Sequence, residues 1–452
     1  MDYLLVQEID QLLKQRLPNK SSLSGADYIP VYPDNTGSLQ LNNSNTYRFR
    51  LPKMGNMFLA RSKGQTGAYF TYNISGLVGN NASTFSGETF LPFSQMRILI
   101  NGVEVHNNLY YNHTYAEWLK MKRRDWLLTD GQNLGLNYTY NNGFDDPPTC
   151  TNGTYTASFT TPIPDNYSVL NNKNFAVPLE NLDILVEMTL NNYNNILSQA
   201  TANAGLDSAS ISNLVLYIPV VKVDPEVSDA INMRLMDADV DEEKMLLFPV
   251  EDIKVDRQSA GSLTGPATQS FVFTNVNASV RLLQAKLSSD PANGATSNAY
   301  QTLTGLNPNI QTYQFVADGK NILQNPTVSA SLGPYDQCYA MSNDLKNAFN
   351  VINNEDDCSG AINKTVFNGI NGGNFGTATY PAYNGSLNQS FDMVANLDTV
   401  SRDLVGGKKI INNLTLNIRY NGVANMNNVN LYLIQYSNRI IAVSKNKCKV
   451  LK

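Results

Sequence analysis

Histidine is nearly absent from this chain, and charge is scarce. Two histidines, two tryptophans and four cysteines occur in 452 residues, and charged side chains make up 16% of the sequence, against about 25% in soluble proteins generally. His106 and His113 stand outside any His-Glu-x-x-His or related spacing, so zinc hydrolysis has no visible basis. Cys150, Cys338, Cys358 and Cys448 are scattered without metal-ligand spacing, and a disulfide framework needs more cysteines in a shorter chain. No run of about 18 apolar residues exists to span a membrane as a helix. Residues 1–10 carry acid rather than base around a short apolar stretch, so no secretory signal is expected and a reducing cytoplasm is the expected site of synthesis. The formal net charge of −5 gives no general attraction to nucleic acid.

Short motifs fail on inspection. Gly406-Gly-Lys-Lys409 lacks the first glycine, the spacing and the terminal Ser/Thr of a phosphate loop. Asp237, Asp239 and Asp241 mimic the opening of a calcium loop, but Glu242 replaces its glycine and Phe248 its closing glutamate. About a dozen Asn-x-Ser/Thr triplets, Asn73, Asn137, Asn152, Asn277 and Asn413 among them, are what an Asn-rich and Ser/Thr-rich composition produces by chance. No catalytic, cofactor-binding or metal-ligating residue is assigned, and neither a cofactor nor a small-molecule substrate is expected.

What the chain does have is amides, aromatic residues and a repeat. Asparagine is over-represented beside 24 tyrosines and 17 phenylalanines, so polarity comes largely from groups that tolerate left-handed turns and pair without the desolvation cost of a charge. Met96-Arg-Ile-Leu-Ile-Asn-Gly-Val-Glu-Val105 reads as strand, two-residue turn and strand, and Tyr313-Gln-Phe-Val-Ala-Asp-Gly-Lys-Asn-Ile322 has the same plan. Their turns, Asn101-Gly102 and Asp318-Gly319, lie 318 − 101 = 217 positions apart. Downstream, the Leu-Tyr pairs of the strands Asn213 to Val223 and Asn428 to Tyr436 lie 431 − 216 = 215 apart. One spacing fits both, which implies two similar β domains in tandem.

The periodicities agree with that division. Leu5, Ile9, Leu12 and Leu13 recur at helical spacing before Pro18, predicting an amphipathic arm over residues 1–17 followed by an extended lead-in. From Asn45 the pattern alternates as in strands, most cleanly in Leu182 to Leu190 and again in Leu414 to Tyr420. Each half adds one helical excursion, at 112–128 and 339–351, and one long Gly/Asn/Thr-rich stretch, 130–172 and 353–390, of a length usually reserved for functional loops. The expected organisation is arm and lead-in at 1–44, first β domain at 45–223, a linker at 224–244 with a short helix near Glu226 to Met236, second β domain at 245–445, and a basic tail at 446–452. Lys445, Lys447, Lys449 and Lys452 at that tail, and Lys120, Lys122, Arg123 and Arg124 on the first excursion, are either solvated flanks or contacts for an anionic surface.

Taken together these features resemble the double jelly-roll major capsid proteins of icosahedral double-stranded DNA viruses, a group that includes adenovirus hexons, tectivirus coat proteins and the shells of virophages and polinton-like viruses. The run Phe90 to Val105, followed by Tyr110, Tyr111 and the Tyr115 to Trp118 helix, is most similar to the virophage and polinton-like branch. The resemblance implies an all-β chain of two eight-stranded jelly rolls with no enzymatic activity. It implies a homotrimer that acts as a pseudo-hexagonal tile, surrounded by neighbouring capsomers, a separate penton protein and minor capsid proteins. It also implies a place in the virion, with contact to an internal membrane or packaged DNA through the termini. Two other classes share the strand pattern: a tandem β-sandwich carbohydrate-binding protein or adhesin, which needs an exposed aromatic framed by carboxylates and amides, and a β-sandwich glycosidase, which needs a carboxylate pair at hydrolytic separation.

Overall fold

The computed structural model describes residues 23–42, 44–61, 67–78, 83–85, 92–121, 138–139, 143–144, 149–150, 153–164, 168–171, 176–192, 197–199, 208–274, 276, 280–289, 308, 310–322, 327–328, 392–397, 411–422 and 428–451. The helical arm expected over 1–17, the second excursion at 339–351, the stretch 353–390 and the cluster Lys122 to Arg124 lie outside them.

The first sandwich uses β1 (Leu23–Val31), β2 (Thr46–Arg50), β3 (Tyr69–Val78), β4 (Phe93–Ile100), β5 (Val103–Asn108), β6 (Gly153–Pro162), β7 (Ile184–Leu190) and β8 (Ser208–Val223). They form two antiparallel sheets, ordered β6-β3-β8-β1 and β2-β7-β4-β5. The second sandwich uses β9 (Leu246–Gly261), β10 (Ala267–Phe273), β11 (Val280–Ser289), β12 (Ile310–Ala317), β13 (Lys320–Asn321), β14 (Met393–Asn396), β15 (Leu414–Tyr420) and β16 (Val429–Val443). Its sheets are ordered β14-β11-β16-β9 and β10-β15-β12-β13. Adding eight to each label of the first sandwich gives the second. Each is an eight-stranded jelly roll, and the duplication read from the sequence is one of topology.

The turns repeat in detail. Asn101 and Gly102 have φ of 49° and 76°, and Asp318 and Gly319 have the same two values. Two consecutive left-handed residues make the turn whose twist suits a tight hairpin, which is why Asn-Gly and Asp-Gly occupy it. Asn101 Oδ1 accepts from the backbone N–H of Asp183 at 3.0 Å, and Asp318 Oδ1 accepts from that of Asn413 at 2.9 Å, so each turn is tied to the start of the neighbouring strand. Asn213 and Asn428, at the matching place before the Leu-Tyr pairs, are also left-handed.

Alternation drives the packing. In β7 every second residue from Ile184 to Leu190 is buried and the others half-buried, giving one dry and one wetter face. In the first core Phe70 lies between Phe49 and Phe93 with ring centres 5.7 and 5.1 Å away, distances at which tilted rings attract beyond simple burial. Nine consecutive residues of β16, Val429 to Ser437, are all buried, so this strand is covered on both faces.

Several boundaries differ from the sequence reading. The lead-in before residue 45 contains β1, which runs antiparallel to β8 with Leu23 opposite Val223 and Val31 opposite Leu216. Its signal is weak because Gly25 sits at a register shift and Pro30 occupies a strand at the sheet edge. The polar stretch 130–172 contains β6, whose Thr- and Ser-rich sequence suits an edge strand with a wet face. The linker is a full helix, α2 (Pro225–Val240), started by Pro225 in its first turn and by the Asp224 side chain, which accepts from the Glu226 N–H. The basic tail holds a strand, β17 (Cys448–Leu451), paired with the end of β16. The first excursion is the helix α1 (Tyr111–Met121).

Candidate assembly interface

The two rolls meet along a buried polar seam. α1 packs against β11 and β16 of the β14-β11-β16-β9 sheet. His113 stacks on Tyr432 of β16 with ring centres 4.0 Å apart, and Tyr110 meets the same ring edge-on at 5.3 Å. Glu117 and Lys286 are both fully buried, with Lys286 Nζ 2.7 Å from Glu117 Oε1. Gln284 Nε2 donates to the other oxygen of Glu117 at 2.8 Å, and Tyr436 donates its hydroxyl to Gln284 Oε1 at 2.9 Å. Tyr111, Tyr115 and Trp118 surround α1 with apolar surface, and burial pushes both tyrosine phenols well above their ordinary range.

A second polar group lies under β5. His106 Nδ1 is 3.2 Å from Asp252 Oδ1, and the other oxygen of Asp252 pairs with Arg439 at 2.9 Å. Asn101, in the hairpin turn, donates to the Lys445 carbonyl at 3.1 Å. Charges inside such a seam hold only while every partner is present, because a lone buried ion loses its hydration without compensation. The dry residues of the two rolls belong to one continuous hydrophobic cluster.

The outer faces of the first roll differ sharply. On β2-β7-β4-β5, Arg48 pairs with Glu187 at 3.0 Å, Arg97 bridges Glu187 and Glu104, and Arg50 pairs with Asp183 at 2.8 Å. Hydrogen bonding to Glu104 holds the Arg97 guanidinium above its usual range. On β6-β3-β8-β1 the outer face carries three neighbouring tyrosines instead. Tyr69 stacks on Tyr217 at 4.9 Å and Tyr28 leans on Tyr69 at 5.6 Å, all three half-buried.

Lys447 and Lys449 of the basic tail are engaged within the chain. Lys449 pairs with Glu242, Lys447 donates to the Asp239 carbonyl at 3.0 Å, and Asp239 accepts from the Asn446 N–H at 2.9 Å and from the Ser444 hydroxyl. Burial opposes ionisation of Asp239, but those hydrogen bonds outweigh it and hold the carboxyl below its ordinary value, while Lys449 does the same for Glu242. These contacts answer the sequence's calcium-like run with internal partners, and among the described residues no His/Cys/Asp/Glu group could hold a metal. Cys448 is buried beside them, its thiol pushed up to about 12. No helix among the described residues is long and apolar enough to cross a membrane.

Sequence reasoning found both histidines but not their place. It missed the Glu117–Lys286 pair altogether. The available signal was the near-continuous apolar run Leu431 to Ile434, the mark of a strand buried on both faces.

Two tandem jelly rolls with identical strand order make a double jelly roll. Solved structures agree over nearly the whole chain. A chain of the PBCV-1 virus capsid superposes with a TM-score of 0.59 at 10% identity, covering 96% of this chain and 98% of its own. A chain of the Sputnik virophage gives 0.57 at 13%, covering 96% and 89%. The Faustovirus major capsid protein gives 0.55 at 11%, covering 94% and 92%. No protein-family model and no curated protein matches the sequence.

Proposed function

We propose that this chain is a major capsid protein that assembles as a trimer, a pseudo-hexagonal tile of an icosahedral viral shell. The observation that carries this reading is the pair of topologically identical rolls locked by a buried seam. One chain then supplies two like domains in fixed relation, and three chains supply six. The likeness in fold to capsid proteins across more than nine-tenths of the chain supports it. In this reading the protein resides in the virion, its neighbours are further trimers, and a separate penton protein and minor capsid proteins complete the shell.

The termini belong to the same reading. Leu23 pairs with Val223, two residues before α2, and the tail is clasped to the far end of α2 through Asp239 and Glu242. Both chain ends therefore leave the rolls beside one helix, whose Met233 and Val240 are 68% and 91% exposed. We assign that end to the inner side of the shell, where residues 1–22 reach an adjoining tile, a membrane or packaged DNA. Because Lys447 and Lys449 already have acidic or carbonyl partners, the arm rather than the tail is the main contact.

Size-exclusion chromatography with light scattering on the purified chain tests this, with negative-stain microscopy. The expected result is a particle of three times 49.9 kDa with a hexagonal outline. A monomer at tens of micromolar would overturn it.

A further inference from the structure

One face of α2 is left uncovered by the rolls. Glu226, Asp229, Met233, Met236 and Val240 recur at steps of three and four residues, so they form one stripe, and all five are exposed. Ser228, Asn232, Leu235 and Ala238, on the other side of the helix, are buried. Glu226 and Asp229 make one end of the stripe acidic, and Met233, Met236 and Val240, exposed by 68%, 46% and 91%, make the rest apolar. An apolar stripe on a helix is stabilised by whatever takes it out of water. The carboxylates of this one repel the phosphates of DNA and of an anionic membrane. Its occupant therefore has to offer an apolar ridge with basic groups at one end.

We infer that residues 1–17 of the same chain occupy this stripe, laid antiparallel to α2 as an amphipathic helix. The point at which the described chain begins favours it. Leu23 stands opposite Val223, two residues before α2 starts, so the residues that precede Leu23 leave the first roll beside the first turn of α2. The lengths agree, since a helix over residues 1–17 runs about 25 Å and the 16 residues of α2 about 24 Å. The sequence predicts the ridge, Leu5, Ile9 and Leu12, and sorts the charges along it, with Asp2, Glu8 and Asp10 first and Lys14, Arg16 and Lys20 after them. Antiparallel placement sets those three basic residues beside Glu226 and Asp229, and the ridge along Met233, Met236 and Val240. It also opposes the two helix dipoles. A parallel placement would need residues 18–22 to span all of α2, and at full extension they reach only about 17 Å. In the free chain the arm is thus stowed on its own helix and must leave it to reach anything else. The inference concerns the isolated chain and stands independently of the capsomer reading.

Oxidation of the full-length chain by hydrogen peroxide, followed at Met233 and Met236 by peptide mass spectrometry, reads this cover, because a docked arm shields both thioethers. Ile9→Asp combined with Leu12→Asp should speed oxidation at both by at least ~10-fold, the ratio between a face open about a tenth of the time and one always open. Met188, buried in β7, should resist in parent and variant alike and so exclude general unfolding. Charge reversal gives a second variant: Asp229→Lys should expose the two methionines, and adding Lys14→Asp should cover them again. Equal rates at Met233 and Met236 in the parent and in the Ile9 and Leu12 variant would overturn the inference. Protection that fades as the protein is diluted would assign the cover to another copy, and would overturn it as well. The oligomeric state of the same sample decides the capsomer reading separately.

Discussion

Glu117 and Lys286 show how much one buried pair can decide. Each has left water completely and is paired with the other, and Glu117 also accepts from Gln284. Removing one partner strands a charge in a dry interface, which costs about 3–5 kcal/mol, whereas replacing both with apolar groups of similar volume is often neutral. Lys286→Ala should therefore lower the free energy of unfolding by that amount in urea titration. The double variant Glu117→Leu with Lys286→Met should recover most of the loss. If the double variant were as unstable as the sum of the two singles, the pair would not be the source of the effect. Residues of this kind are hard to read in a sequence, because nothing local distinguishes Lys286 from a lysine on a wet strand; its burial is decided by a helix some 170 residues earlier. Asn101 and Asp318 are the opposite case. Their left-handed conformation is a local requirement, so the turn was legible from two letters.

At the scale of elements, those with a strong period were legible and those that borrow stability from neighbours were not. β7 and β15 alternate cleanly, and the structure places them as predicted. β1 and β6 are short of apolar residues or interrupted by glycine and proline, β17 is only four residues long, and each is held by pairing to a long partner, β8, β3 and β16 respectively. The clasp that joins the end of α2 and the turn after it to β17 and the turn before it gives the element-scale prediction. Asp239 and Glu242 have lowered values in the folded chain, so their ionised forms contribute stability that is fully present above their ordinary values of 3.8 and 4.5. That contribution is lost as the pH falls through the lowered folded values. Hydrogen exchange at the β17 amides should accelerate below about pH 4 relative to the amides of β7, after correction for intrinsic rates. Asp239→Asn should reproduce the acceleration at pH 7. An unchanged protection of β17 in both experiments would show that pairing with β16 suffices to hold the strand.

Across the whole molecule the rolls are similar in topology but unequal in independence. The second roll has β16 buried on both faces and β11 buried from Leu282 to Ser288, and α1 of the first roll covers part of that sheet through His113 and Glu117. A roll with that sheet uncovered would expose Tyr432, Ile434 and Tyr436 together with an unpaired Lys286, an apolar patch with a buried-type charge at its centre. The first roll gives up less, since its corresponding face is already tyrosine-lined and tolerates partial exposure. Two consequences follow for the same experiment. Dissociated full-length chains should unfold in one calorimetric transition, with calorimetric and van't Hoff enthalpies in agreement, because the dry seam joins both cores into a single cluster. Expressed separately, residues 245–451 should aggregate while residues 23–240 remain soluble, and co-expression of the two pieces should bring the second into solution with the first. Two well-separated transitions in the intact chain, or a soluble and folded second roll on its own, would show that the seam joins two autonomous domains rather than completing one of them.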